Sequence, residues 1–289
     1  MKTSMGMQTL DLVVPPLAPR PRGIVAEVFR RDPLYAGAAA TIALSMAPVL
    51  VAWACDDRSL DGVAIWAKPL KFQMALAVYL ATLAWFSAWM PPAVATARSY
   101  RIFATLVVTA VALELVWIVG AAAQGEASHF NVATPARRAI YATMGALATL
   151  LTSAALVQGI AILSARDGGG DPVLRLAIGL GLLLTFALTL ATASNMSDGT
   201  GHLVGVAPDA TRRLALFGWA RDGGDLRVAH FFATHAMHAL PASGLLAARL
   251  LSRRRARQAV VAGAVAYAAF VGWTFAQALA GRPFLPWLS

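Results

Sequence analysis

Long apolar runs alternate along the chain with short polar breaks. Seven stretches, 34–54, 69–90, 102–122, 139–163, 173–193, 229–251 and 259–279, are built mainly from Ala, Leu, Val, Ile, Gly and aromatic residues, and charge, Gly or Pro bounds each one. About 20 residues in a helix cross the ~30 Å hydrocarbon layer of a bilayer. None of the runs alternates with the period of two that a membrane β-barrel needs. The pattern therefore predicts an all-α, polytopic membrane bundle of seven transmembrane helices over 34–279. A polar tail (1–33) precedes it, with a short interfacial helix near Ile24–Arg30, and a short tail (280–289) follows. The first run starts too far in, and runs too long, for a cleaved signal peptide. Ala54-Cys55 makes a poor lipoprotein site, because the bulky Trp53 stands where a small residue is wanted.

Composition agrees. The 289 residues are 58% hydrophobic and only 13% charged, against about 25% charged in ordinary soluble domains. A soluble enzyme, a secreted disulfide scaffold and a disordered chain are thereby excluded. The single cysteine, Cys55, can form neither an internal bridge nor a thiolate cluster.

Charge sets the orientation. With the N-terminus inside, 14 of the 24 Lys and Arg residues fall on inner segments and 10 on outer ones. The sharpest element is the arginine run at 253–257 between the last two spans, which is hard to translocate. The expectation is N-in and C-out, in the inner (cytoplasmic) membrane of a bacterium. The lipid bilayer is then the main partner. Nucleic acid is excluded as a partner because the basic residues are scattered among loops. Two outer connections, 124–138 and 194–228, are long enough to carry function. The second contains Phe217 and Trp219 and reads as an ordered cap over the bundle.

The polar residues inside or beside the spans carry the candidate chemistry. All five histidines fall on the outer side: His129 and His202 in the long loops, and His230, His235 and His238 down the sixth span. At ~100° per residue the last three form one stripe. Pro241 one turn later cannot donate to the Met237 carbonyl, so the helix can bend there. Glu114 is the one carboxylate within a predicted span. It lies about 12 Å below its outer end, at a depth like that of His238. A carboxylate so placed is costly unless paired, protonated or wet, so Glu114 has reason to meet His235 and His238. Gln277 and Asn195 can join the same layer. The second span opens on Trp66-Ala-Lys68-Pro69-Leu-Lys71-Phe72. Its lysines oppose the helix dipole and call for an anionic partner. Arg outnumbers Lys by 21 to three, yet two of the lysines are here, which suggests that the ammonium itself matters. Each residue also has a plainer use: snorkelling for the lysines, interfacial hydrogen bonding for the histidines, and interfacial belts for Trp53, Trp66, Trp89 and Trp287.

These donors suit haem or a transition metal such as Cu, Fe or Zn. In that reading His235 and His238 are ligands, with His230 or His129 adding a third, and Glu114 is a further ligand or the proton acceptor of the reaction. Lys68, Lys71, Arg227, Asn131 and Gln277 place a bound, anionic group. Five histidines are too few for a membrane di-iron desaturase, and the last span lacks the lysine of a retinal protein.

The stretches Gln124-Gly-Glu-Ala-Ser-His-Phe-Asn131 and Gly224-Asp-Leu-Arg-Val-Ala-His-Phe231, with His235-Ala-Met-His-Ala-Leu-Pro241, resemble blocks of an uncharacterised bacterial multi-pass membrane family. The segment 66–72 resembles its opening block. The resemblance implies which residues to watch and implies no activity. Three functions stand open at this level: a metal or haem protein doing redox or ligand-binding chemistry, a metal-free, proton-coupled transporter or sensor of a small anionic solute, and a structural or assembly subunit. Whether it is an enzyme is left undecided.

Overall fold

The computed structural model describes residues 23–165, 170–197, 201–207, 212–214 and 217–285. Expectations placed on 1–22, on Arg166 and on Trp287 lie outside these residues. Helix α1 (Ile24–Arg31) is the short helix expected before the first span, and α2 (Pro33–Cys55) follows it at once. Then come α3 (Ala67–Phe86), a four-residue turn of helix α4 (Pro92–Ala95) and α5 (Arg98–Ala123). The remainder is α6 (Pro135–Ser164), α7 (Pro172–Ser197), α8 (Leu226–Leu250) and α9 (Arg253–Leu279).

Helix starts follow from local chemistry. Asp32, Thr134, Asp171 and Asp225 each accept a backbone N–H of the first turn that no carbonyl can reach, at 2.7–3.2 Å. In α2, α6 and α7 a proline fills the first helical position, where its missing donor costs nothing.

Among the described residues six helices, α2, α3, α5, α6, α7 and α9, are long and apolar enough to cross a membrane. The chain is a multi-pass membrane protein. Helix α8 is not among the six: its 25 residues include three histidines and two arginines. It nonetheless packs closely against both α7 and α9. Small residues bring it close. A Cβ on Gly244 would overlap Ala177, and one on Gly181 would press on the Ala236 carbonyl at 3.0 Å. Such contacts suit helices that gain no hydrophobic energy from leaving lipid. Helix α8 runs on through Pro241, and the Met237 amide donates to Thr185 Oγ1 on α7 at 2.8 Å.

Connections gather at two ends. At one, Arg31 donates to the Trp85 carbonyl (2.8 Å) and Gly170 packs on Trp89. A buried node there has Gln158 donating to Tyr100 Oη (3.0 Å) and to the Leu83 carbonyl (3.3 Å). The other end is richer in loops. Two strands, β1 (Ser59–Leu60) and β2 (Val63–Ala64), form a hairpin whose Asp61-Gly62 turn has both residues at positive φ, 52° and 71°. Arg58 donates to the Ala123 carbonyl at 3.1 Å and ties this hairpin to the end of α5. Strands β3 (Leu203–Val204) and β4 (Gly224–Asp225) pair antiparallel in the cap before α8. Gly224 lies so close to the Ala278 carbonyl of α9 that no side chain fits.

Candidate functional site

Lys68 is the centre of the loop-rich end. It sits at the second position of α3, where Trp66 supplies no side-chain cap. Its Nζ lies 3.1 Å from His129 Nδ1 in the α5–α6 loop. An ammonium can only donate, so Nδ1 is the acceptor and the His129 proton is on Nε2. Ser128 Oγ, at 3.0 Å, shares that nitrogen, and Phe72 and Tyr141 flank the ring with centroids 5.6 and 6.2 Å away. Burial first, and then the Lys68 charge, hold His129 down to about 3, so its imidazole is neutral at pH 7.

Lys68 has three N–H donors and spends one. Among the described residues no carboxylate lies within ion-pair distance of it. Among the described residues Glu114 of α5 acts on it as a negative charge, and Arg227 of α8 as a second positive one. Glu114 is 4% exposed and its Oε1 has no hydrogen-bond partner.

The cap is fastened by the neighbouring cations. Lys71 Nζ donates to the Phe217 carbonyl (3.3 Å), and the Arg227 guanidinium donates to the next carbonyl, Gly218 (2.7 Å). Arg227 also pairs with buried Asp225 at 2.5 Å, whose other bonds go to the Arg227 and Ala220 amides. His202 enters the same field: burial, and then Arg227, hold it down to about 4 against the pull of Asp225. Its Nε2 is buried without a partner, while its carbonyl accepts from Leu226 at 2.9 Å. Phe217 and Trp219 stack at 4.4 Å, and Phe231, Phe232 and Phe284 pack edge-on or tilted against Trp219. This cluster seals the side of the cap next to α8 and α9.

The histidines of α8 are elsewhere. His230 Nδ1 lies 3.1 Å from Thr192 Oγ1 on α7. His235 Nδ1 lies 2.7 Å from the Phe231 carbonyl, so it carries the proton. His238 Nε2 lies 3.0 Å from Thr82 Oγ1 on α3, beside a groove of about 440 Å³ lined by Val78, Trp85 and Pro241. The rings of His235 and His238 are 5.4 Å apart.

The structure does not join Glu114 to His235 and His238, as depth reckoning on single helices suggested. Lys68 is the charge that acts on Glu114, and Thr82 holds His238; both stand on α3, 14 residues and ~21 Å apart. Helix α8 starts three residues before the apolar run that predicted it, and this sinks His238 further. Asn131 and Gln277 bond locally, to the Ala127 and Pro283 carbonyls at 3.5 and 2.6 Å. Among the described residues no group of three or more His, Cys, Asp or Glu converges on one point. Ser128 and Thr82 were missed by sequence reasoning, and one Ser or Thr among many carries no signal. Compared with protein-family models, curated proteins and solved structures, the chain matches none.

Proposed function

We propose that this is a seven-span inner-membrane protein, N-in and C-out, that binds a small anionic solute at its outer end as a transporter or sensor. Helix α8 is the sixth span in this reading, with its polar face turned to α3 and α7. One observation carries the proposal: an ammonium, Lys68, is built into the bundle with one bonded donor and, among the described residues, no carboxylate at bonding distance. Taking such a charge from water costs several kcal/mol unless an anion answers it. The uncapped start of α3 adds amide donors and a positive dipole end. The solute's anionic group binds Lys68, and Glu114 beside it is the proton-carrying group that couples binding to the proton gradient. Lys71 and Arg227 hold the cap shut through the Phe217 and Gly218 carbonyls, so an anion that draws either cation away loosens the cap.

The test is a thermal-shift and tryptophan-fluorescence titration of the purified protein with chloride, phosphate, sulfate, acetate and succinate. Saturable binding of at least one of these anions, lost in Lys68→Met, is expected. Equal responses in the wild type and Lys68→Met would refute the reading.

A second reading has its own observation. His235 presents Nε2 as a lone pair, because its Nδ1 proton is given to Phe231. Thr82 spends its own proton on the Val78 carbonyl (2.7 Å), so His238 donates from Nε2 and is left with a buried, unpartnered Nδ1 lone pair. Two neighbouring histidines with fixed tautomers and free lone pairs are half of a copper, iron, zinc or haem site. A visible spectrum and metal analysis of protein from metal-replete cells decide this, with His235→Ala and His238→Ala expected to lose the metal. A colourless, metal-free protein removes this reading.

A further inference from the structure

The arginine-rich end of the bundle carries a second unanswered charge, unrelated to the anion site. Arg98 and Arg101 stand in the first turn of α5, whose Ala97 cap makes no side-chain bond and whose first turn holds no acidic residue. Both are exposed, and neither side chain has a hydrogen bond or ion pair among the described residues. Two cations at a helix start work against its dipole. They line one groove of about 390 Å³ with Thr96, Ile102, Thr105 and Leu106. The two threonine hydroxyls are spent on the Pro92 and Arg101 carbonyls at 2.8 and 2.9 Å. The guanidinium groups are therefore the free polar groups of the groove, and the rest of its floor is apolar.

We propose that this groove binds an anionic phospholipid, its phosphate on Arg98 and Arg101 and an acyl chain along Ile102 and Leu106. The spacing fits a molecule standing in a leaflet. Positions 98, 101, 102, 105 and 106 share one face of α5, and Leu106 lies ~12 Å deeper than Arg98. Ile102 and Leu106 are 52% and 51% exposed, and Leu113 and Val116 further along α5 are also open, at 51% and 71%. The groove thus continues into the surface that faces acyl chains. Guanidinium pairs bind phosphate by bidentate, charge-assisted bonds. A free phosphate would answer the arginines and leave the apolar floor empty, so the lipid is the occupant.

The test uses delipidated full-length protein in neutral detergent, read by native mass spectrometry and thermal shift. Phosphatidylglycerol should be retained and should raise the melting temperature, phosphatidylcholine should bind about ten-fold more weakly, and inorganic phosphate should give no shift. Arg98→Gln with Arg101→Gln should weaken phosphatidylglycerol binding by about ten-fold or more, and the double lysine variant should fall between. Arg254→Gln with Arg255→Gln, at the same end, should change binding by less than about two-fold, as expected for exposed charges outside the groove. Equal affinity in the wild type and the double glutamine variant overturns the proposal. So does phosphatidylcholine binding as well as phosphatidylglycerol, or a response to phosphate alone.

Discussion

The Lys68 cluster and the His235–His238 pair are both polar groups sunk in an apolar bundle, and they are stabilised in opposite ways. Around His238 and His230, hydroxyls on facing helices, Thr82 and Thr192, take one ring nitrogen each. Those contacts are neutral, and what they leave open is an uncharged lone pair, the His238 Nδ1. Around Lys68 the charge is not balanced among the described residues: Asp225 is already paired with Arg227, and the Glu114 Oε1 lacks a partner. A protein selected for stability alone would fill a buried position with an apolar residue. Charge left over in a buried place is a feature of sites that wait for a ligand.

The largest expected effect tests that contrast directly. Lys68→Met should cut anion affinity on the order of 100-fold, the loss of charge-assisted hydrogen bonds, and should leave the melting temperature unchanged or higher. A variant that is destabilised and binds normally would mean that the lysine is structural and the contrast false.

Next comes the seal between cap and bundle. Gly224→Ala puts a methyl group into the Ala278 carbonyl, and overpacking of this kind costs about 1–3 kcal/mol. Its denaturation midpoint should fall, and the cap should become open to protease before the helices do. Protection unchanged from the wild type would show that α9 does not hold the cap.

Acid should loosen the same end. His129 and His202 are held to about 3 and about 4 from an ordinary 6.5, by burial before any charge. Between those values and 6.5 the unfolded chain binds protons that the folded one refuses, so stability rises with pH and is lost as pH falls below about 6.5. Melting temperatures from pH 7 to pH 4 should decline, and His129→Gln should flatten part of the slope. An unaltered slope in that variant would place the acid sensitivity elsewhere.

The smallest effect belongs to the histidine pair. Thr82→Val leaves the His238 Nε2–H unpaired and should cost about 1 kcal/mol with anion binding intact. If anion binding fell with it, the two regions would be one site and the comparison would break down.

Much of the architecture is legible in the residue order, because burying or spanning with a backbone in lipid leaves helices as the solution and apolar length marks them. Asp or Thr before proline marks where α2, α6 and α7 begin, since capping is settled within four residues. The placement of Lys68, Lys71 and Arg227 is readable in the same way, as basic residues at helix starts that the dipole disfavours. Helix α8 is where pattern and structure part: the run 229–251 predicts a span, and the helix is not among the six long and apolar enough to cross a membrane.

What the residue order could not decide is which polar groups meet. Depth along one helix was computable, but Glu114, Lys68 and His238 stand on three helices whose offsets depend on packing. Those offsets come from contacts with no sequence signature of their own. Gly244 against Ala177, Gly181 against the Ala236 carbonyl and Gly224 against Ala278 set how far α8 slides against α7 and α9. A shift of one helical turn is ~5.4 Å, enough to exchange one hydrogen-bond partner for another. The helices, their caps and the excess of positive charge are written in the residue order, since each is decided by neighbours along the chain. Tertiary structure alone decided that Lys68 faces His129 and Glu114 while His238 faces Thr82, since those pairings rest on the close fit of small residues far apart in sequence.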